Sequence, residues 1–379
     1  MTAYWVIPAQ PARRYHRSVA LLSPLPFEWN SRHLGQAHDG PIYDNRLPGA
    51  QNALRGTSGT QTGFLPLVFR IGIGISVIVF LLATISPDDI ATAFSHAEIA
   101  PLLFGCLLVV PHLGLQIYKW LFLMKTMSAH TRWFEAFSSL LLSIAVGSFT
   151  PGRIGEIPGR SLLVSSLSSP QSLSLSLLDK LQFFILLLML GVPSIMLLML
   201  PPSISRLLIM AAAVSGSLVV FFRTGLLAKL PHVLPKRWHG SWATEYEHTI
   251  ASLTPSQLLH AFLLTLASYG VLSLQFFFFL RAFTGVTLLD SFLGFSAMML
   301  AKSVFPISIA DIGIREAGSV YFFALLGISS AAAFNASMVL FLINILLPSV
   351  VGLLFLPKAS LVHRRDVDHT NAAVKKSIP

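Results

Sequence analysis

The chain has 379 residues, of which 54% are hydrophobic and only 11% charged, with a mean hydropathy of +0.71. A soluble domain carries about 25% charged residues, and a single core stops growing at roughly 250–300 residues. This composition therefore excludes a soluble enzyme and predicts a chain whose main solvent is lipid. One cysteine, Cys106, lies in an apolar run, which excludes an intrachain disulfide and a thiolate metal cluster.

The formal net charge of +10 would point to nucleic acid only if a basic groove with aromatic residues or a known motif accompanied it. The basic residues gather instead at the chain ends. Seven arginines face three carboxylates in residues 1–70, and five basic residues face two acidic ones after Pro357. Such clusters set the orientation of membrane spans and touch anionic lipid, so no nucleic-acid partner is predicted.

In chain order, residues 1–63 are polar, rich in Pro, Gly, Arg and His, and aperiodic, and they read as a disordered basic cytoplasmic tail. Residues 64–356 form the membrane domain. Windows that reach or approach spanning length lie at about 65–85, 99–122, 176–200, 204–223, 258–280 and 330–356. Two shorter apolar stretches, at 134–150 and 287–305, each run into a charged Pro/Gly-rich break and then another short apolar piece. Residues 357–379 read as a second basic cytoplasmic tail. The expected fold is all-α and polytopic, with about six to eight transmembrane helices plus two re-entrant, Pro/Gly-broken hairpins arranged as an inverted repeat.

Loop charge orients these spans. Asp88, Asp89 and Glu98 place the 86–98 loop outside, while Lys119, Lys125 and Arg132 return the 119–134 connection to the cytoplasm, as do Lys229, Lys236 and Arg237 further on. Both termini are then cytoplasmic, in a multi-pass protein of the cell inner membrane. With six crossings, the 134–168 unit enters and leaves from the inside and the 287–328 unit from the outside.

The two breaks carry the chemistry. The first reads Gly147 to Arg160 and holds two prolines and four glycines, with Arg153, Glu156 and Arg160 at i, i+3 and i+7. Pro158 predicts a kink between Glu156 and Arg160. The second reads Phe305 to Gly318 and carries Asp311, Arg315 and Glu316, with Lys302 a turn before Pro306. Irregular backbone at membrane depth is tolerated only inside protein or beside a wet cavity, and charges there need compensation. One reading has Arg153 with Glu156, and Asp311 with Arg315, neutralising each other near the headgroups. The other has guanidinium groups facing a cavity and receiving a phosphate. Asp179 and Lys180 read as snorkelling to an interface, Arg281 and Asp290 as marking the outer one, and His112 as a buried histidine bonded to a neighbour. The histidines lack metal-ligand spacing, and nucleotide-binding and hydrolase motifs are missing from the sequence. No metal, cofactor or catalytic residue is predicted, and the chain reads as a non-enzyme.

At these breaks the sequence resembles the lysylphosphatidylglycerol synthase transmembrane, or flippase-like, family. The resemblance rests on Thr150-Pro151-Gly152-Arg153-Ile154-Gly155-Glu156 with Arg160 following, and on Gly313-Ile314-Arg315-Glu316 ahead of Leu326-Gly327-Ile328. It implies a multi-helix domain with two re-entrant hairpins that moves polar lipids between leaflets, with Arg153, Glu156, Arg160, Arg315 and Glu316 at the headgroup site. Asp311 and Lys302 join that set from the residues themselves. Only a short tail follows Pro357, so the likeness is to the stand-alone membrane type without an aminoacyl-transferase domain, and Pro158 threatens to displace Arg160. The expected partners are membrane lipids with a phosphate-bearing or glycosylated headgroup, and lipid-biosynthesis enzymes. The alternative is a non-transporting scaffold or accessory subunit of lipid or glycan biosynthesis.

Overall fold

The computed structural model describes residues 79, 86–223, 227–229, 241–305, 308 and 311–357, all within one compact unit, Gln61–Pro379. The expected 1–63 tail, nearly all of the 65–85 window and the tail after Pro357 lie outside the described residues. Among the described residues every regular element is helical.

A short helix α1 (Pro87–Ser95) precedes α2 (Ile99–Leu107) and α3 (Val109–Met127). The last two form one apolar run, Ile99–Met127, long enough to cross a membrane. It is interrupted at Leu108, where Pro111 has no N–H to offer the carbonyl of Leu107. Next come α4 (Trp133–Ser148), α5 (Glu156–Ser161), the long α6 (Ser169–Met199) and α7 (Ile204–Phe222). The chain continues with α8 (Ser241–Ala251), α9 (Pro255–Phe283), α10 (Leu288–Val304) and α11 (Ile314–Ala324). Finally α12 (Ser330–Phe341) passes through a π-turn at Leu342–Leu346 into α13 (Leu347–Leu353), a widening that suits the missing N–H of Pro348. Among the described residues, five segments reach spanning length: Ile99–Met127, α6, α7, α9 and Ser330–Leu353. The protein is thus an all-α, multi-pass membrane protein. Capping boxes at Ser168 with Gln171 and at Thr254 with Gln257, each followed by a proline in the first turn, start the two longest helices.

The two broken units fold back on themselves. The 16 residues of α4 and six of α5, and the 17 of α10 and 11 of α11, are each shorter than the roughly 20 needed to span. The end of the first unit returns to its beginning, since Glu135 Oε1 accepts from the backbone N–H of Ser165 and Ser166 at 2.5 and 2.8 Å. The second unit closes likewise, with Leu326 and Ile328 lining a surface pocket together with Val286, Thr287 and Asp290.

The hairpins enter from opposite ends of the bundle. The first starts at the end where α3 stops and α9 begins, an end marked by Ser252 Oγ donating to Met127 Sδ. Tracing α6, α7 and α9 then places the start of the second at the other end, where Glu98 N–H donates to the carbonyl of Ala282 at 2.8 Å. The tips meet, with Gly152 N–H donating to the carbonyl of Ser308 at 3.2 Å. Close backbone contact depends on glycine at two crossings. A Cβ at Gly352 would sit 2.1 Å from the carbonyl oxygen of Leu141, and one at Gly191 only 2.9 Å from that of Ser296, the small-residue packing expected between membrane helices.

Candidate functional site

A cavity of about 370 Å³ lies where the hairpin tips meet the crossing helices. Its walls come from His112, Gln116 and Lys119 of α3, Asp179 to Leu187 of α6, Thr265 to Leu272 of α9 and Leu340 to Ile345 of the last crossing. At 1.5 Å per residue, the lining parts of α6 and α9 lie about 15–27 Å along helices about 44–46 Å long. The cavity therefore occupies the middle of the bundle.

Each tip turns through a charged residue with left-handed backbone, Arg153 (φ 56°) beside Gly152 (φ 56°) and Asp311 (φ 60°) ahead of Gly313 (φ 87°). This conformation costs a non-glycine residue about 1–2 kcal/mol. It interrupts the helix and directs the following charges inward. In the first tip, Thr150 Oγ1 accepts from Gly155 N–H at 2.8 Å, and α5 then begins at Glu156. A Cβ at Gly147 would collide with Glu156 Cγ at 2.4 Å, so glycine there admits the glutamate. In the second tip, Glu316 is fully buried and accepts from Gly313 N–H at 2.8 Å, capping α11.

Among the described residues, six cationic side chains reach the cavity, namely Lys119, Arg153, Arg160, Lys180, Lys302 and Arg315, against three carboxylates, Glu156, Asp179 and Asp311. Asp179 is shared by Lys119 at 2.5 Å and Arg160 at 2.7 Å. Glu156 is shared by Arg153 and Lys180. Lys302 pairs with Asp311 at 2.7 Å, and Arg315 with Glu316. Arg160 stacks over the Trp120 ring at 4.7 Å, and the indole N–H is fixed by Ser139 Oγ at 2.9 Å. Arg315 stacks over Phe341 at 4.9 Å, and its Nε donates to Ser337 Oγ at 3.1 Å. A neutral polar wall completes the site. His112 Nδ1 lies 3.2 Å from the carbonyl of Ser268, its Nε2 2.6 Å from Gln116, and Asn344 donates to Gln275 at 2.9 Å.

Of the residues singled out in the sequence, Arg153, Glu156, Arg160, Lys302, Asp311 and Arg315 line this cavity together, while Glu316 stands behind Arg315. Four expectations need correction. Asp179 does not snorkel, being 4% exposed and deep in the bundle, and Lys180 beside it turns into the cavity. Lys119 belongs to α3 and not to a cytoplasmic connection. Asp311 and Arg315 do not pair by their side chains, because Asp311 precedes the helix, and only the backbone N–H of Arg315 reaches the Asp311 carbonyl, at 3.2 Å. Pro158 displaces nothing, since it lies in the first turn of α5, where its missing N–H is harmless. Among the described residues, no group of three or more His, Cys, Asp or Glu could hold a metal ion.

Paired re-entrant hairpins meeting at a charged cavity inside a multi-pass helical bundle define a membrane protein with an intramembrane polar site. The model of the lysylphosphatidylglycerol synthase TM region matches residues 67–352, about three quarters of the chain. The chain belongs to that family of membrane domains, which is linked to lipid handling. A search of curated proteins found no match.

Proposed function

We propose that the cavity receives the phosphate-bearing headgroup of a membrane lipid and passes it between leaflets without chemical change. The observation that carries this reading is the surplus of cationic side chains around a cavity at mid-depth of an apolar bundle. Polar groups placed there replace headgroup hydration where hydrocarbon would otherwise oppose crossing.

The acyl chains stay in the bilayer. Phe149, Ile154, Val304 and Phe305 beside the tips, and Phe184 on the cavity wall, are exposed apolar residues, suited to lipid tails while the headgroup lies within. Arg153 and Arg160 bind phosphate by paired N–H donors. Glu156, Asp179 and Asp311 orient the cations, and Arg315 with Glu316 and Lys302 fixes the second hairpin against the site. A sealed scaffold is the weaker reading, because Lys180 and Arg153 keep 36% and 20% of their side chains exposed. The end carrying Lys125 and Arg132 is cytoplasmic by its charge, in an inner membrane.

The test is leaflet exchange of fluorescent, acyl-tagged phosphatidylglycerol and phosphatidate in vesicles holding the full chain. Loss of two charge-assisted phosphate contacts in Arg153→Ala/Arg160→Ala should slow exchange about tenfold or more. Equal rates for variant and wild type would remove the proposal.

A further inference from the structure

We infer that the cavity selects a headgroup bearing two negative charges on phosphate, a phosphomonoester or diphosphate, over a singly charged phosphodiester or a zwitterion. This rests on the headgroup reading above and specifies its substrate class.

The inference comes from how the charges are shared. Asp179 answers two cations, Lys119 and Arg160, and Glu156 answers two, Arg153 and Lys180. Each triad keeps one positive charge uncompensated. Lys302 with Asp311 and Arg315 with Glu316 are one-to-one pairs and add none. Among the described residues the surplus is therefore two, one charge in each triad. The triads adjoin, because Glu156 and Arg160 are one turn apart on α5, a rise of about 6 Å, and Asp179 and Lys180 are consecutive on α6. One headgroup can engage both.

The donors point the same way. Arg160 is only 4% exposed and gives Nη2 to Asp179, while its Nε and Nη1 are buried without a partner, as is Arg153 Nε. A guanidinium beside an indole face with an open donor on each side of its Nη2 suits an anion that offers several oxygens, and buried unpaired donors gain most from being met. A zwitterion leaves the whole surplus, a phosphodiester leaves half of it, and a dianion removes it.

The test compares dioleoyl phosphatidate, phosphatidylglycerol and phosphatidylcholine on the full chain by native mass spectrometry. At pH 8 phosphatidate should be retained about tenfold over phosphatidylglycerol, and phosphatidylcholine least, each uncompensated charge being worth about one such factor. Because a phosphomonoester gains its second charge near pH 6, the preference should shrink toward pH 5. His112 faces the same cavity, but a proton on it would add a positive charge and raise the preference for the dianion, so a preference that shrinks toward pH 5 reports the phosphate and not the histidine. Lys180→Gln, which removes one of the two surplus charges, should bring the ratio of phosphatidate to phosphatidylglycerol close to one, and an unchanged ratio would overturn the two-charge count. Equal retention of the two anionic lipids by wild type would overturn the selectivity and leave the headgroup reading standing. Retention of no lipid at all would overturn both. Inorganic diphosphate displacing phosphatidate at equal concentration would support the two-charge site and overturn its lipid source.

Discussion

Asp179→Asn tests whether the cavity charges are held as shared pairs. The substitution keeps the side-chain shape but removes the charge that Lys119 and Arg160 approach at 2.5 and 2.7 Å, with all three side chains 5–7% exposed. Removing one partner of a buried ion pair costs about 3–5 kcal/mol, because the remaining charge stays buried. For a chain of this size that is about 6–10 °C in Tm, at roughly 2 °C per kcal/mol. Adding Lys119→Met deletes one of the two stranded cations, so the double variant should recover about half of the loss even though it carries one more substitution. The assay is tryptophan fluorescence during thermal unfolding in detergent micelles, with Lys119→Met alone completing the cycle. A drop below about 1 °C for Asp179→Asn, or a double variant that loses the sum of the two singles, would refute the shared-pair reasoning.

Other outcomes follow from the same geometry. Glu135→Ala strips the acceptor that closes the first hairpin onto Ser165 and Ser166, so amide exchange at Ser165 and Ser166 should rise about tenfold or more, the worth of a charge-assisted hydrogen bond; unchanged exchange would contradict the clasp. Gly352→Leu would drive a Cβ to 2.1 Å from the Leu141 carbonyl and should cost at least about 1–3 kcal/mol by overpacking, read as a lower Tm. Replacing Cys106 with alanine and placing single cysteines at His130 and at His96 should give labelling by a membrane-impermeant thiol reagent from opposite sides of oriented vesicles. Labelling of both from one side would break the opposed-hairpin topology.

Much of the fold was legible because apolar runs and their proline breaks are local signals. The windows at 176–200, 204–223, 258–280 and 330–356 all coincide with crossings, and the two short stretches that ran into Pro/Gly segments are the hairpins. Arg153 with Glu156 was readable from i, i+3 spacing and does pair. Asp179 was misplaced because the apolar window opens at residue 176, whereas the helix opens at Ser169. Its first turns carry four serines that keep the hydropathy low, of which Ser174 Oγ donates to the Pro170 carbonyl at 2.8 Å, so the aspartate lies almost three turns inside. Lys119 was assigned to a connection for the mirror-image reason, since α3 runs on to Met127. The i, i+4 rule failed for Asp311 and Arg315 because it presumes helix at both positions, and Asp311 has φ 60°. The sharing of one carboxylate by two cations from different helices leaves no trace in sequence spacing, although a charge inside an apolar window is itself a pointer to a polar site.

The most direct test of a headgroup site at mid-depth is photocrosslinking with two phosphatidate probes, one carrying a diazirine next to the phosphate and one at the acyl end. Mapped by peptide mass spectrometry on the full chain in vesicles, the phosphate-side probe should label residues 152–160 and 179–184, and the acyl-end probe Phe149, Ile154 and Phe305. Phosphate-side labelling confined to the bundle ends, around Arg132 or Thr287–Asp290, would contradict the intramembrane site.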